Sequence, residues 1–228
     1  ERYKEELEKE MPEVDLFIKF SEYDSIWEQI DKLIVSKTEG KLDYLDRVIS
    51  TGKNYAYLRI ADGCNNFCTF CAIPYIRGRF KSRKMEDILE EASTLAKKGI
   101  KEIIVIAQDT TKYGSDIYNE PKLAELLNKL SKIEGIEWIR FLYAYPETIT
   151  EELIYEVKTN PKICKYFDIP MQHISDNMLK KMNRKSTGKS IRDLIEKLRK
   201  EIPGVIIRST LMVGFPGETE ADFEEMYE

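Results

Sequence analysis

The stretch from Tyr55 to Cys71 reads YAYLRIADGCNNFCTFC and joins a strand pattern directly to a cysteine-rich loop. Its first part, Tyr55–Ala61, alternates and is rich in aromatic and aliphatic residues, as β-strands are. Three of the four cysteines of the chain then follow within this one stretch. Because ligands of α/β folds bind at the carboxyl ends of the strands, we expect this loop to hold a cofactor.

The sequence after the loop alternates between strand patterns and helix patterns. Further strands are predicted at Ile103–Ala107, Trp138–Ala144, Phe167–Met171 and Val205–Val213, and a helical pattern follows each of them. This alternation predicts an α/β fold with a parallel sheet. Since five strands fall short of a closed eight-stranded barrel, we expect a partial, open βα barrel of the TIM type. A doubly wound sheet is the alternative that the pattern leaves open.

The first 35 residues predict a separate helix–strand–helix unit. An amphipathic helix is followed by a strand-like run at Val14–Phe20, and Ser25 with Glu28 forms a capping-box pattern for a second helix. This α/β piece is too small to hold a core alone, so we expect 1–35 to be the end of another domain. The polar residues 36–54 are expected to be a linker, and 55–228 the barrel.

Composition narrows the class of protein. The chain has 228 residues, 42% of them hydrophobic, which excludes wholesale disorder, and a net charge of −5. No apolar run reaches the roughly 18 residues of a membrane span, and we expect no membrane partner. The charged amino terminus is unlike a signal peptide, and clustered cysteines indicate metal binding in a reducing cytoplasm. The acidic balance makes tRNA a weaker candidate partner.

The cysteine loop predicts an iron–sulfur site. The thiolates of Cys64, Cys68 and Cys71 can hold three corners of a [4Fe–4S] cluster, which ordinarily takes four cysteines, so one iron keeps an open position. Zinc is an alternative, but the two paired ligand motifs typical of zinc fingers are missing from the sequence. His173, the single histidine and a possible fourth ligand, is far along the chain. Plain core cysteines are another alternative. We expect Cys164 to be a small buried hydrophobe and His173 to be a satisfied hydrogen-bonding residue.

The spacing of the loop resembles that of the radical S-adenosylmethionine (SAM) superfamily. Four further features resemble the methylthiotransferases of that superfamily: residues 57–64, residues 73–78 (IPYIRG), Arg83 and residues 214–219 (GFPGET). Within this family, two segments are more similar to the enzymes that modify a ribosomal protein than to the tRNA enzymes. They are 107–114 (AQDTTKYG) and 167–175 (FDIPMQHIS).

The resemblance implies a fold, an activity and partners. The barrel would be of the radical SAM type and would stop before its last strand, and 1–35 would be the remnant of an amino-terminal domain that holds a second [4Fe–4S] cluster. A TRAM domain would follow Glu228. The implied enzyme is a transferase that adds a methylthio group to the β-carbon of an aspartate in small-subunit ribosomal protein twelve. It would use SAM, a [4Fe–4S] cluster and electrons from a flavodoxin or ferredoxin.

Two other functions stay open from the sequence. The first is methylthiolation of an adenosine in tRNA, and the second is a zinc-stabilised RNA-binding or structural domain.

The resemblance also implies roles for single residues. The three loop cysteines would be the cluster ligands, with no further catalytic residue. The SAM contacts would be Phe70 and the turn of Gly214, Pro216 and Gly217 near the adenine, Gln108 with Asp109 near the amine, Gln172 near the ribose, and Arg208 at the carboxylate. Each assignment has a structural alternative. Phe70 would be a core ring, the turn with Gly214 and Gly217 a plain turn, Gln108 with Asp109 a solvated strand end, Gln172 a structural cap, and Arg208 a surface residue.

Overall fold

The structure is a computed structural model that describes residues 3–34, 45 and 47–228. Its strands are β1 (Tyr55–Arg59), β2 (Ala61–Asp62), β3 (Lys81–Ser82), β4 (Glu102–Ile106), β5 (Trp138–Phe141), β6 (Tyr166–Gln172) and β7 (Ile206–Leu211). Its α-helices are α1 (Lys4–Glu10), α2 (Ile26–Ile30), α3 (Ile73–Ile76), α4 (Met85–Lys97), α5 (Leu123–Ser131), α6 (Glu151–Thr159), α7 (Asp176–Lys181), α8 (Gly188–Glu201) and α9 (Glu220–Tyr227). Short 3-10 helices cover Phe20–Ser25, Thr110–Lys112 and Pro146–Thr148.

The long strands run parallel and stand side by side in chain order. β1 pairs with β4, β4 pairs with β5, and β6 pairs with β7. A bridge between Ile139 and Ile163, and a 2.8 Å hydrogen bond from the Ala144 amide to the Asp168 carbonyl, join β5 to β6. Doubly wound sheets reverse their strand order at a switch point, whereas barrels do not. The order therefore confirms the partial barrel.

One face of this curved sheet is covered by helices. Every second residue of β1 and β4 points to this face, as the two-residue period of a strand requires. These side chains are fully buried in a core that also contains residues of α4, α5 and α6. Phe141 and Phe167 meet edge to face at 5.2 Å between ring centroids and connect β5 to β6 in this core. Each such aliphatic or aromatic side chain contributes about 1.5–3 kcal/mol through burial, which fixes the strand order and hence the positions of the strand ends.

The opposite face of the sheet lines the lumen of the partial barrel. Tyr57, Ile104 and Arg140 stand in one row across β1, β4 and β5, and Asp168 with Arg208 forms a row across β6 and β7. The guanidinium carbon of Arg140 lies 4.9 Å from the centroid of the lumen-facing Tyr166 ring. The lumen wall is thus partly polar, unlike the packed interior of a closed barrel.

The amino-terminal unit differs from the prediction. Residues 14–19 form no strand, and Phe20–Ser25 is a 3-10 helix. No described strand pairs with this segment, and an isolated strand leaves its backbone groups without partners. The hydroxyl of Ser25 donates to the Glu22 carbonyl at 2.9 Å, so the predicted capping box with Glu28 does not form. The expected α/β character of this remnant was wrong, while its two helices are present.

The domain boundaries remain predictions. Residues 36–44 and 46 of the predicted linker lie outside the described residues. Within the described ranges, no helix combines the length and apolar character needed to cross a lipid bilayer.

Candidate functional site

The cysteine loop lies at the carboxyl end of β1, between β2 and α3. Cys64 and Cys68 are buried and Cys71 is partly buried. The chain enters the loop at Gly63, whose φ is +70°. A Cβ at this position would lie 2.2 Å from the Arg79 carbonyl oxygen, so only glycine fits against the returning chain. The Cys64 amide donates to the Gly78 carbonyl at 3.2 Å and fixes the first cysteine.

Residues from the far side of the barrel hold the other end of the loop. The Thr69 amide donates to the Met182 carbonyl at 3.2 Å, and the Thr69 hydroxyl donates to the Lys181 carbonyl at 3.0 Å. The side-chain amide of Asn183 donates to the Phe67 carbonyl at 2.9 Å. These bonds tie the loop after β1 to the segment after α7, so the loop spans the mouth of the partial barrel.

Nitrogen donors surround the buried sulfurs. The Asn66 amide donates to Cys64 Sγ at 3.4 Å, and Nη1 of the buried Arg184 lies 3.9 Å from Cys68 Sγ. Donors of this kind stabilise ligand sulfurs of iron–sulfur clusters. Burial raises the pKa of the Cys64 thiol, so a metal must displace its proton for it to act as a ligand.

The cysteine loop supplies three thiol groups as possible metal ligands. Among the described residues, no three His, Cys, Asp or Glu side chains converge on a point that could hold one metal ion. A tetrahedral zinc needs four such ligands around one centre. In a cubane each thiolate binds a different iron, so three cysteines suffice for a cluster that keeps one iron open. The donor chemistry of the loop therefore fits a [4Fe–4S] cluster.

Phe70 and the glycine-rich turn after β7 are brought together. The ring of Phe70 meets the ring of Phe215 edge to face at 6.4 Å between centroids. Gly214 and Gly217 have φ values of +76° and +85°, and Lys181 Nζ donates to the Gly217 carbonyl at 2.7 Å. An aromatic side chain between two cysteines and a backbone turn thus share one part of the mouth.

Gln108 follows β4 and carries an unused polar group. Its Oε1 is buried and has no hydrogen-bond partner among the described residues. The neighbouring Asp109 is fully buried, but its carboxylate accepts from the Thr111 hydroxyl at 2.7 Å and from the Asn66 side-chain amide at 3.1 Å. Gln108 is therefore the better candidate for a ligand contact, while Asp109 supports the cysteine loop.

Gln172 and Arg208 lie on the β6–β7 side. Gln172 ends β6 with a φ of +71°, a conformation that costs a non-glycine residue about 1–2 kcal/mol. Such strain is typical of functional sites. Arg208 faces the lumen with its side chain 60% exposed, and its Nε is 3.7 Å from an Asp168 carboxylate oxygen. It lies within β7 and not at its tip, so it is deeper in the lumen than the other predicted contacts.

His173 supports the glycine-rich turn. Its Nδ1 accepts from the Ser175 amide at 3.0 Å, which leaves the proton on Nε2 for a 3.0 Å hydrogen bond to Glu218. Glu218 in turn accepts from the Gly214 amide. The bond from His173 lowers the pKa of Glu218 and keeps it ionised. The prediction of a satisfied histidine is confirmed.

Cys164 lies at the other end of the barrel. Its amide donates to the Ile139 carbonyl at 2.9 Å, just before β6 begins. It is partly buried and not fully buried as predicted, and burial raises its thiol pKa. It contributes nothing to the loop.

Several residues of the site were missed by sequence reasoning. Arg184 and Tyr145 stack with 4.4 Å between the guanidinium carbon and the ring centroid, and Lys112 contacts both Asn66 and Asp109. Burial and the neighbouring Cys68 raise the pKa of Tyr145, so its hydroxyl stays protonated. Asn66 lies inside the cysteine loop and Lys112 lies in the segment 107–114, so the sequence offered a local signal for both. Arg184 and Tyr145 are distant from the loop in sequence, and none of the quoted motifs contains them.

A family model described as the radical SAM superfamily matches residues 58–228. The match covers the strand, the cysteine loop and the partial barrel described above. The chain therefore belongs to the radical SAM superfamily.

Two relatives of high sequence identity carry the same name. The chain is 65% identical over 230 residues to "Ribosomal protein uS12 methylthiotransferase RimO" of Alkaliphilus oremlandii, a match that covers 100% of this chain and 52% of that protein. It is 54% identical over 237 residues to the protein of the same name from Clostridium botulinum strain Eklund 17B, with coverages of 100% and 53%. The chain thus spans about half the length of these relatives. These matches confirm the resemblance seen in the sequence.

Solved structures of low identity share the fold. The radical SAM methyltransferase TsrM of Kitasatospora setae, with cobalamin and a [4Fe–4S] cluster bound, superposes with a TM-score of 0.60 at 18% identity. That match covers 75% of this chain and 33% of TsrM. The cobalamin-dependent radical SAM enzyme OxsB, with aqua-cobalamin and SAM bound, gives a TM-score of 0.58 at 15% identity, over 75% of this chain and 25% of OxsB. Both support the partial barrel.

Proposed function

We propose that this chain is the radical SAM core of a methylthiotransferase. The intact enzyme adds a methylthio group to the β-carbon of an aspartate in ribosomal protein uS12. The observation that carries the proposal is the cysteine loop at the strand tips, with two buried sulfurs that each lie near a nitrogen donor. The printed names of the relatives support the substrate.

Cys64, Cys68 and Cys71 would hold three irons of a [4Fe–4S] cluster. The glycine at 63 lets the backbone turn, and the bonds from Thr69 and Asn183 keep the loop over the barrel mouth. When bound, the cluster and SAM supply the one-electron chemistry that removes a hydrogen atom from the substrate carbon. The chain itself binds, orients and shields these groups.

The SAM molecule would lie across the strand tips. Phe70 and the turn from Gly214 to Gly217 offer an aromatic edge and open backbone to the adenine. The buried Oε1 of Gln108 is an acceptor in need of a donor, which the SAM ammonium group can supply. Gln172 at the end of β6 would contact the ribose.

Arg208 is suited to a carboxylate in the lumen. It stands on the lumen wall, largely exposed, and its contact with Asp168 is longer than a hydrogen bond. A bidentate bond to the SAM carboxylate would be stronger than this contact. We assign that role to Arg208 as part of the same proposal.

Substrate and partners follow from the same proposal. A ribosomal protein is favoured over tRNA because the net charge is −5, and phosphate-backbone binding requires clustered cations. The intact enzyme would carry a second [4Fe–4S] cluster in its amino-terminal domain. We propose a cytoplasmic enzyme, because a cysteine cluster that binds metal suits a reducing compartment, and a flavodoxin or ferredoxin would supply its electrons.

The test is reductive SAM cleavage by the reconstituted chain. Protein loaded anaerobically with iron and sulfide is mixed with dithionite and SAM, and 5′-deoxyadenosine is measured. We expect product from the wild type and from Cys164→Ser, which removes a thiol far from the loop. Cys68→Ser should give none. No product from a cluster-loaded wild type, or equal product from Cys68→Ser, would overturn the proposal.

The substrate is decided with the full-length enzyme. It is offered uS12 and tRNA in parallel, and the methylthio group is located by mass spectrometry. Modification of the protein alone is expected, and modification of tRNA alone would replace the proposed substrate by the tRNA alternative.

A further inference from the structure

Arg184 follows α7 and reaches under the cysteine loop. Its amide donates to the Leu179 carbonyl at 2.8 Å, and its side chain is buried, with 8% of the residue exposed. Nη2 donates to the Pro170 carbonyl at 2.9 Å, which aims the guanidinium at the loop. This placement brings Nη1 to 3.9 Å from Cys68 Sγ.

The charge of Arg184 is not matched by a carboxylate. Among the described residues, the polar contacts of its guanidinium are the Pro170 carbonyl and Cys68 Sγ and include no carboxylate, and its Nε is buried with no hydrogen-bond partner. By contrast, the guanidinium of Arg83 pairs with the buried Glu91 at 2.6 Å. A buried cation without a counter-ion is strongly destabilising, so Arg184 needs an anion from elsewhere.

The neighbours of Arg184 narrow the source of that anion. The Tyr145 ring lies 4.4 Å from the guanidinium carbon and offers a cation–π contact, but a tyrosine side chain carries no charge at neutral pH. The Pro170 carbonyl is a dipole and not a charge. Within the described ranges, the other polar contact of the guanidinium is Cys68 Sγ, which becomes a thiolate when it binds metal.

We propose that Arg184 is the counter-ion of the bound cluster and raises its reduction potential. This inference rests on the proposed function, because it requires the loop to hold a [4Fe–4S] cluster. Three thiolates make the cluster net negative, and each electron added increases that charge. A fixed cation beside one ligand sulfur therefore stabilises the reduced form more than the oxidised form. Arg184 does not bind the iron itself. It acts on the cluster through its charge beside the Cys68 ligand.

The experiment is a redox titration without SAM. Wild type, Arg184→Gln, Arg184→Met and Arg184→Lys are loaded with iron and sulfide, and the reduced cluster is counted by electron paramagnetic resonance. Omitting SAM separates an effect on the cluster from a contact with the cofactor. Arg192→Gln is the matched control, because that arginine is half-exposed and lies near Glu225 on α9.

We expect both neutral variants to hold about tenfold less reduced cluster at a given potential, which is a shift of about 59 mV to more negative values. Arg184→Lys keeps the charge and should stay near the wild type, as should Arg192→Gln. Wild-type potentials in the neutral variants, or equal shifts in Arg184→Lys and Arg184→Gln, would overturn the inference.

Loss of the cluster is also informative. Clusters missing from both neutral variants but present in Arg184→Lys would support the counter-ion role. Clusters missing from all three variants would overturn it, because the shape of the arginine and not its charge would then be required. A wild type that binds no cluster would instead refute the proposed function.

Discussion

Alanine at Gly63 should disrupt the cysteine loop for a steric reason that can be isolated. Gly63 and Gly78 both have positive φ, +70° and +76°. A Cβ at Gly63 would lie 2.2 Å from the Arg79 carbonyl oxygen and 2.7 Å from that of Gly78, whereas a Cβ at Gly78 would meet nothing within 4 Å. Both substitutions carry the cost of holding alanine at a positive φ. Only Gly63→Ala adds a steric clash between the new Cβ and backbone oxygens.

The magnitudes follow from this comparison. Gly78→Ala should lower the free energy of unfolding by about 1–2 kcal/mol, the cost of a left-handed alanine. Gly63→Ala adds an overlap with backbone atoms, which no side-chain rotation can relieve. We expect a total loss of about 4 kcal/mol or more, in the range of severe single substitutions.

The assay is urea unfolding of both variants beside the wild type, followed by far-ultraviolet circular dichroism. Iron uptake on anaerobic reconstitution is measured in parallel, and it should fall in Gly63→Ala and persist in Gly78→Ala. Equal losses of stability in the two variants, within about 0.5 kcal/mol, would refute the steric argument.

Three further substitutions test the fold around the site. Glu91→Gln leaves Arg83 with a weaker partner inside the protein and should lower the free energy of unfolding by about 3–5 kcal/mol; an unchanged urea midpoint would contradict this. Phe141→Ala opens a cavity in the core and should lose about 3–5 kcal/mol by the same assay, with a loss below about 1 kcal/mol counting against the packing described. A hydrogen bond from Ser175 lowers the pKa of Asp222, so its contribution to stability is present above the unfolded pKa of about 4 and is lost as the pH falls further. Asp222→Asn should therefore lower the melting temperature more at pH 7 than near pH 2, where part of the contribution is already lost, and an equal effect at both would contradict the assignment.

The barrel could be predicted because its signals are local and repeated. An apolar run such as Ile103–Ala107 predicts a buried strand, and apolar residues at helical spacing predict a helix with one buried face. The alternation of the two patterns leaves few possible topologies. The strand predicted at residues 14–20 does not form, because a strand-like run does not by itself supply a pairing partner. The choice between a barrel and a doubly wound sheet needed the strand order, which sequence periodicity does not contain.

Some residues of the candidate site could likewise be predicted from the sequence, whereas others depend on the fold. The three loop cysteines lie within eight residues, so their spacing is readable. Arg184 is 116 residues from Cys68 along the chain and reaches it only through the fold. The free Oε1 of Gln108 and the strained backbone of Gln172 are likewise properties of packing, although the strand-end positions of both residues could be predicted.

Mössbauer spectroscopy of the anaerobically reconstituted chain, with and without SAM, tests most directly whether three thiolates of one loop leave an iron open to a ligand. We expect about four irons per chain in a [4Fe–4S] cluster, with the spectrum of a single iron site changing when SAM is added. Spectra of all four iron sites that stay unchanged when SAM is added, or zinc bound in place of iron, would contradict the assignment.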